Sequence, residues 1–163
     1  MINPNNDADL LTLQFESKAR QISQLNRKGF CTHERRQGNG DPANDMPGLM
    51  QTLDATYHLA GPNGARTVAA RDFYEAAYFT ARGDDEILTA VSFAATGSGY
   101  AYEKQKRKIG DYATAAAGVL LSMDGGSCTA ASVALTNLSD TPVYCEAAVE
   151  ILVGSSINDA AIS

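Results

Sequence analysis

KQKRKIGDYATAAAG, running from Lys104 to Gly118, sets four bases within five residues and then passes into a run of small side chains. The abrupt change from crowded charge to almost no side chain decides how the chain is read on either side. Tyr100 to Lys108 reads as a strand, GDY as a turn and ATAAAGVLLSM as a buried strand. DGGS reads as a hairpin turn and CTAASVALTN as the returning partner, which together make a β-meander. In an extended Tyr100–Lys108 segment, Tyr100, Tyr102, Lys104, Lys106 and Lys108 share one face and Arg107 points to the other. Same-face lysines lie roughly 7 Å apart, inside the Debye length at physiological salt, so they repel and a bound anion relieves that repulsion. A phosphate-bearing cofactor is one such anion. A solvated strand face and a nucleic-acid patch are the alternatives. Ala113, Ala115, Ala116, Ala117 and Gly118 let a helix, another backbone or a planar ligand come close. Tyr112, just after Gly110, either stacks on a ligand ring or packs in a core.

Upstream, DPANDMPGLMQTLDA carries helix signals. Asn44 or Asp45 caps the start, Pro47 is tolerated in the first turn, and Met46, Leu49, Met50 and Leu53 fall on one side. Asp45 suits either a cap or an acceptor for ribose or ribityl hydroxyls. ATYHLA and ARTVAA flank GPNG as the two arms of a hairpin. RDFYEA reads as a short turn, ARGDDE as a polar break, EILTAVSF as a strand and ATGSG as a loop. Downstream, Thr141-Pro142 is expected to open a helix through VYCEAAVEILV that ends at Gly154, and SINDAAIS to start another; its unfinished end reads as that of a fragment. Within the first 39 residues MINPNNDADLLTLQF is compatible with a short helix and RKGFCTHERRQGNG shows no apolar period, so the segment is poorly specified; the composition shifts near Ala94–Gly99, the expected domain boundary.

A chain of 163 residues, 44% hydrophobic, is long enough for one core or two small subdomains. No apolar run is long enough to span a bilayer and no basic segment precedes an apolar stretch at the start, so a cytoplasmic protein is expected. A net charge of −6 disfavours nucleic acid as a general partner. Cys31, Cys128 and Cys145, odd in number and without CxxC spacing, argue against a disulfide framework and a zinc site. His33 and His58 stand far apart in unlike contexts, no GxSxG elbow occurs, and no catalytic residue or metal ligand set is identified.

Four strings taken in order, GDPANDMP, EIL, YEKQKRKIGDYATAAAGVLL and CTAASVALTNLSDTPVYCEAA, resemble the FAD-carrying middle subunit of the molybdenum hydroxylases, the family of carbon monoxide, nicotine and xanthine dehydrogenases. The resemblance covers the chain from about Gly40 onward, and K-x-K-R-K-x-G-D-Y-A-T-A is its most specific motif. It implies an α+β fold: residues 40–98 as the second part of an FAD-binding domain, and residues 99–163 as a small α/β C-terminal domain with the meander and helices, with residues 1–39 unassigned. It implies FAD as cofactor, with Asp45 near its ribityl and phosphate region, Leu88 and Lys104 lining it, and Tyr112 against the isoalloxazine ring. Glycine-rich strings resembling AGGQS and TIGG, which hold the pyrophosphate in the family, do not occur, and CTHERRQGNG stands where the second would precede GDPANDMP. The implied function is electron transfer within an oxidoreductase that also contains a molybdopterin-binding large subunit and an iron-sulfur small subunit with two 2Fe-2S clusters. The alternatives are an assembly module without FAD and a binder of another phosphorylated ligand.

Overall fold

The computed structural model describes residues 40–93 and 99–158. Helix α1, Asp45–Thr52, begins where Asn44 stays extended and its side chain accepts from the Met46 amide at 3.0 Å. Pro47 falls in the first turn, where its missing N–H has no intrahelical partner to lose. The helix is enclosed on every side. Met46, Leu49, Met50 and Leu53 are buried as expected, and Pro47, Gly48, Gln51 and Thr52 are buried as well. Such a helix is the centre of a core rather than a lid on it.

On one side lies a sheet of three strands. β1, Thr56–Gly61, and β2, Gly64–Ala69, form the expected hairpin around Pro62-Asn63, with Gly61 opposite Gly64. RDFYEA is more than a turn: α2, Ala70–Phe73, leads into β3, Tyr74–Ala76, which pairs with β4, Phe79–Thr80. β5, Ile87–Ser92, runs antiparallel along the free edge of β1, giving the order β2-β1-β5. Tyr57 stacks on Phe73 with ring centroids 4.1 Å apart, and Tyr74 meets both edge-on. The Tyr57 and Tyr74 hydroxyls lie 2.6 Å apart, so each buried phenol has a polar partner; burial pushes both well above the ordinary tyrosine pKa.

ARGDDE is a polar break that the fold ties down. Arg66 on β2 reaches both carboxylate oxygens of Glu86 at 2.7 Å, and the Gly83 amide donates to the same carboxylate. Hydrogen bonding from Arg66, then from Gly83, aided by the charges of Arg66 and Arg82, pulls Glu86 down to about 2 from 4.5. A carboxylate depressed in the folded state stabilises it above its unfolded pKa, and that contribution disappears as pH falls through the folded value. Thermal melting of the parent is therefore expected to lose stability between pH 4.5 and about 2 more steeply than Glu86→Gln does. Parallel curves for the two proteins would show that the clamp contributes nothing.

The second sheet is the expected meander with one addition. β6, Gly99–Gln105, β7, Ala115–Asp124, and β8, Ser127–Thr136, pair antiparallel in sequence, and β9, Val143–Tyr144, adds to the far edge of β8. Gly125 and Gly126, both at positive φ, make the DGGS turn. Two expectations fail here. β6 stops at Gln105, because the Thr114 amide bonds the Gln105 carbonyl at 2.9 Å and closes the ladder, leaving 106–114 as a loop. VYCEAAVEILV is not one helix: Val143 and Tyr144 pair with Leu135 and Ala134, and α3 spans only Glu146–Leu152. Ser155–Asn158 is not helical, while ATGSG and residues 159–163 of SINDAAIS lie outside the described residues, as do residues 1–39.

Register places Tyr102, Lys104, Ala116, Gly118, Ala134 and Thr136 on one face, and α1 packs against it. Gly48 of α1 sits so close to Thr136 that a Cβ there would overlap the Thr136 hydroxyl, and a Cβ on Gly118 would come within 2.5 Å of Thr52 Oγ1. The small-residue run is thus filled by a helix, the protein-packing alternative of the sequence reading. Arg71 of α2 lies 3.6 Å over the Tyr144 ring, a further link between the two sheets.

Candidate functional site

The start of α1 meets the middle of β6 at a cluster of three side chains. Asp45 enters helical geometry directly after its Asn44 cap. Lys104 Nζ lies 2.9 Å from Asp45 Oδ2, and the Tyr102 hydroxyl donates to Asp45 Oδ1 at 3.0 Å. Tyr102 and Lys104 are two residues apart on one strand face, which is why both reach the same carboxylate. Only 16% of the Lys104 side chain and 21% of the Asp45 side chain are exposed, so the ion pair is shielded more than a surface pair. Burial and the neighbouring Asp45 charge push the Tyr102 phenol up, against a lesser pull from the Thr136 hydroxyl. Tyr102 therefore remains a donor at any physiological pH.

Tyr112 approaches the cluster through its backbone. The Ala113 amide bonds the Ala43 carbonyl at 3.1 Å, and Asn137 Nδ2 donates to the Ala113 and Thr114 carbonyls at 2.8 and 3.2 Å. These bonds fix the segment beside the helix start and leave Tyr112 56% exposed. Leu88 sits elsewhere, on β5 opposite Leu59, packed against the core. Of the four residues singled out in the sequence, Asp45 and Lys104 touch, Tyr112 is anchored near them, and Leu88 belongs to the first sheet. Tyr102 was not singled out; its spacing of two from Lys104 was the signal for it. The expected face of three lysines does not form: Lys106 and Lys108 lie beyond the strand end in the exposed loop, and Lys104 is neutralised by Asp45. Among the described residues, no group of three or more histidine, cysteine, aspartate or glutamate side chains is placed to hold a metal ion, and no helix is long and apolar enough to cross a membrane.

A helix-centred core thus lies between two sheets, with the shielded Asp45–Lys104 pair tying the helix start to the second sheet. Residues 38–95 match the FAD binding domain in molybdopterin dehydrogenase, and residues 100–163 match the CO dehydrogenase flavoprotein C-terminal domain. The chain belongs to the flavoprotein medium subunits of the molybdenum hydroxylase family. It is 59% identical over 126 residues to the carbon monoxide dehydrogenase medium chain of Afipia carboxidovorans, covering 76% of this chain and 44% of that one. Its identity to the glyceraldehyde dehydrogenase medium chain of Sulfolobus acidocaldarius is 30%, over 74% of this chain and 43% of that one. The fold superposes on the Cu,Mo-CO dehydrogenase in its cyanide-inactivated form with a TM-score of 0.74 at 58% identity, covering 77% of this chain and 45% of that one. The chain thus spans less than half the length of the curated relatives it matches.

Proposed function

We propose that the chain is the FAD-bearing electron-transfer part of a cytoplasmic molybdenum hydroxylase, working beside a molybdopterin-binding large subunit and an iron-sulfur small subunit, with residues 99–163 as its C-terminal domain. The observation that carries this reading is the Asp45–Lys104 pair. One member lies in the segment matching an FAD-binding domain and the other in the segment matching a flavoprotein C-terminal domain. The donor set fits the cofactor. The Asp45 carboxylate, held by Tyr102 and Lys104, is the acceptor for ribityl or ribose hydroxyls. Lys104 retains donors for a phosphate oxygen or a ring carbonyl, and the exposed Tyr112 ring offers a face for stacking. Bound FAD supplies one- and two-electron transfer that no side chain here provides.

The test is the chromophore. Purified protein is expected to be yellow, or to become so on incubation with FAD, and acid release is expected to yield FAD by chromatography. Protein that stays colourless in excess FAD, yet still assembles with an iron-sulfur subunit, would replace this reading with that of an assembly module. Colourless protein that binds other nucleotides in a salt-sensitive way would point to a different phosphorylated ligand.

A further inference from the structure

The Asp45 carboxylate turns on a soft torsion. Rotation of an aspartate carboxyl about its last single bond is broad and roughly two-fold, so a single donor holds one oxygen and leaves the plane free to turn. Here two donors hold different oxygens, Tyr102 at Oδ1 and Lys104 at Oδ2, at 3.0 and 2.9 Å. A carboxylate gripped at both oxygens has its plane fixed.

The two donors are not equivalent. Lys104 ends a flexible four-carbon stem, and its ammonium is a point charge that follows the carboxylate into any orientation. Tyr102 carries a rigid planar ring that packs against the core cluster containing Met46, Leu49 and Tyr57, and it stands on β6 opposite Gly118 of β7. Its hydroxyl is therefore placed by the fold rather than by the carboxylate. Asp45 is placed independently, by its position at the start of α1.

We infer that Tyr102 is a positioning residue of the flavin site: its hydroxyl sets the plane in which the Asp45 carboxylate meets the ribityl or ribose hydroxyls of FAD. This inference rests on the FAD reading above. Without that hydroxyl the carboxylate turns about its last bond and closes on the Lys104 ammonium with both oxygens, which draws the acceptor and the cation together and away from the ligand. Ordering them again has to be done on binding, at the expense of affinity. A bond that merely tied helix to strand would act on stability and leave the ligand alone.

The experiment titrates FAD, read by flavin fluorescence, into four versions of the whole chain: the parent, Tyr102→Phe, Asp45→Ala and the double variant. Tyr102→Phe is expected to bind FAD about tenfold more weakly than the parent. In the Asp45→Ala background the same change is expected to shift affinity by less than about twofold, because the hydroxyl acts through a carboxylate that is no longer there. Lumiflavin, which has the ring and lacks the hydroxylated chain, should bind the parent and Tyr102→Phe alike. All four proteins should keep the parent's circular dichroism. Equal FAD affinity in the parent and Tyr102→Phe, losses that simply add in the double variant, or a loss for lumiflavin as large as that for FAD overturns the inference and leaves the FAD reading standing. A parent that takes up no FAD defeats the FAD reading and the inference together.

Discussion

Replacing Gly48 with alanine is expected to destabilise the protein by about 1–3 kcal/mol, although at an exposed position within a helix the same change would stabilise by about 1 kcal/mol. The sign reverses because of what faces Gly48. An added Cβ would overlap Thr136 Oγ1 on β8, with Thr136 Cβ only 3.3 Å away. Thr136 is fully buried, so it cannot swing into solvent to make room. Gly48 is further held from within its helix, since Thr52 Oγ1 donates to its carbonyl at 3.0 Å and Thr52 in turn fills the space over Gly118. Helix and sheet are therefore keyed at two points, Gly48 against Thr136 and Thr52 against Gly118. Urea unfolding of four proteins separates packing from propensity. Gly48→Ala should be clearly destabilised, and adding Thr136→Ala should recover much of the loss. Adding Thr136→Ser, which keeps the hydroxyl, should recover little. A Gly48→Ala protein as stable as the parent would mean that α1 does not sit on β7 and β8 as described.

What the sequence disclosed follows the range over which each force acts. The two hairpins were legible because their turns announce themselves locally: GPNG brings Gly61 opposite Gly64, and DGGS places two glycines at positive φ. α1 was legible from a side-chain cap and four apolar residues at helical spacing, all of which are buried. The ends of β6 and α3 were not legible, because both are set by distant partners. β6 ends where Thr114 returns to bond Gln105, and Val143-Tyr144 is drawn out of its expected helix by the open edge of β8. Nor does any local signal say that β5 joins β1 rather than β2. The same limit governed the site. Lys104 and Asp45 were each recognised, but their contact spans 59 positions, and without it the lysine was read as one of three repelling cations on a strand face. Tyr102, adjacent on that face, became visible only once the carboxylate it serves was in place.

That contact sets up the second large effect, on both stability and ligand. Lys104→Met is expected to cost about 1.5–3 kcal/mol, the range for a hydrogen bond to a charged group, because it removes the cation that neutralises a largely shielded Asp45 carboxylate. The double variant Asp45→Leu, Lys104→Met removes both charges together and replaces them with apolar side chains of similar volume, which is commonly close to neutral for a shielded pair. Stability should therefore fall in the single variant and largely return in the double. FAD affinity should not return, since the double variant lacks both the hydroxyl acceptor and the cation, and a loss of about a hundredfold or more is expected from two charge-assisted contacts. Fluorescence titration with FAD and urea unfolding on the same three proteins give the two readings side by side. A double variant that is stable and binds FAD as tightly as the parent would make the pair a structural link between the sheets and place the cofactor elsewhere. A double variant that is stable and flavin-free would show that the carboxylate and the ammonium, each neutralised by the other in the folded chain, are held half-shielded at the helix start for the sake of the ligand.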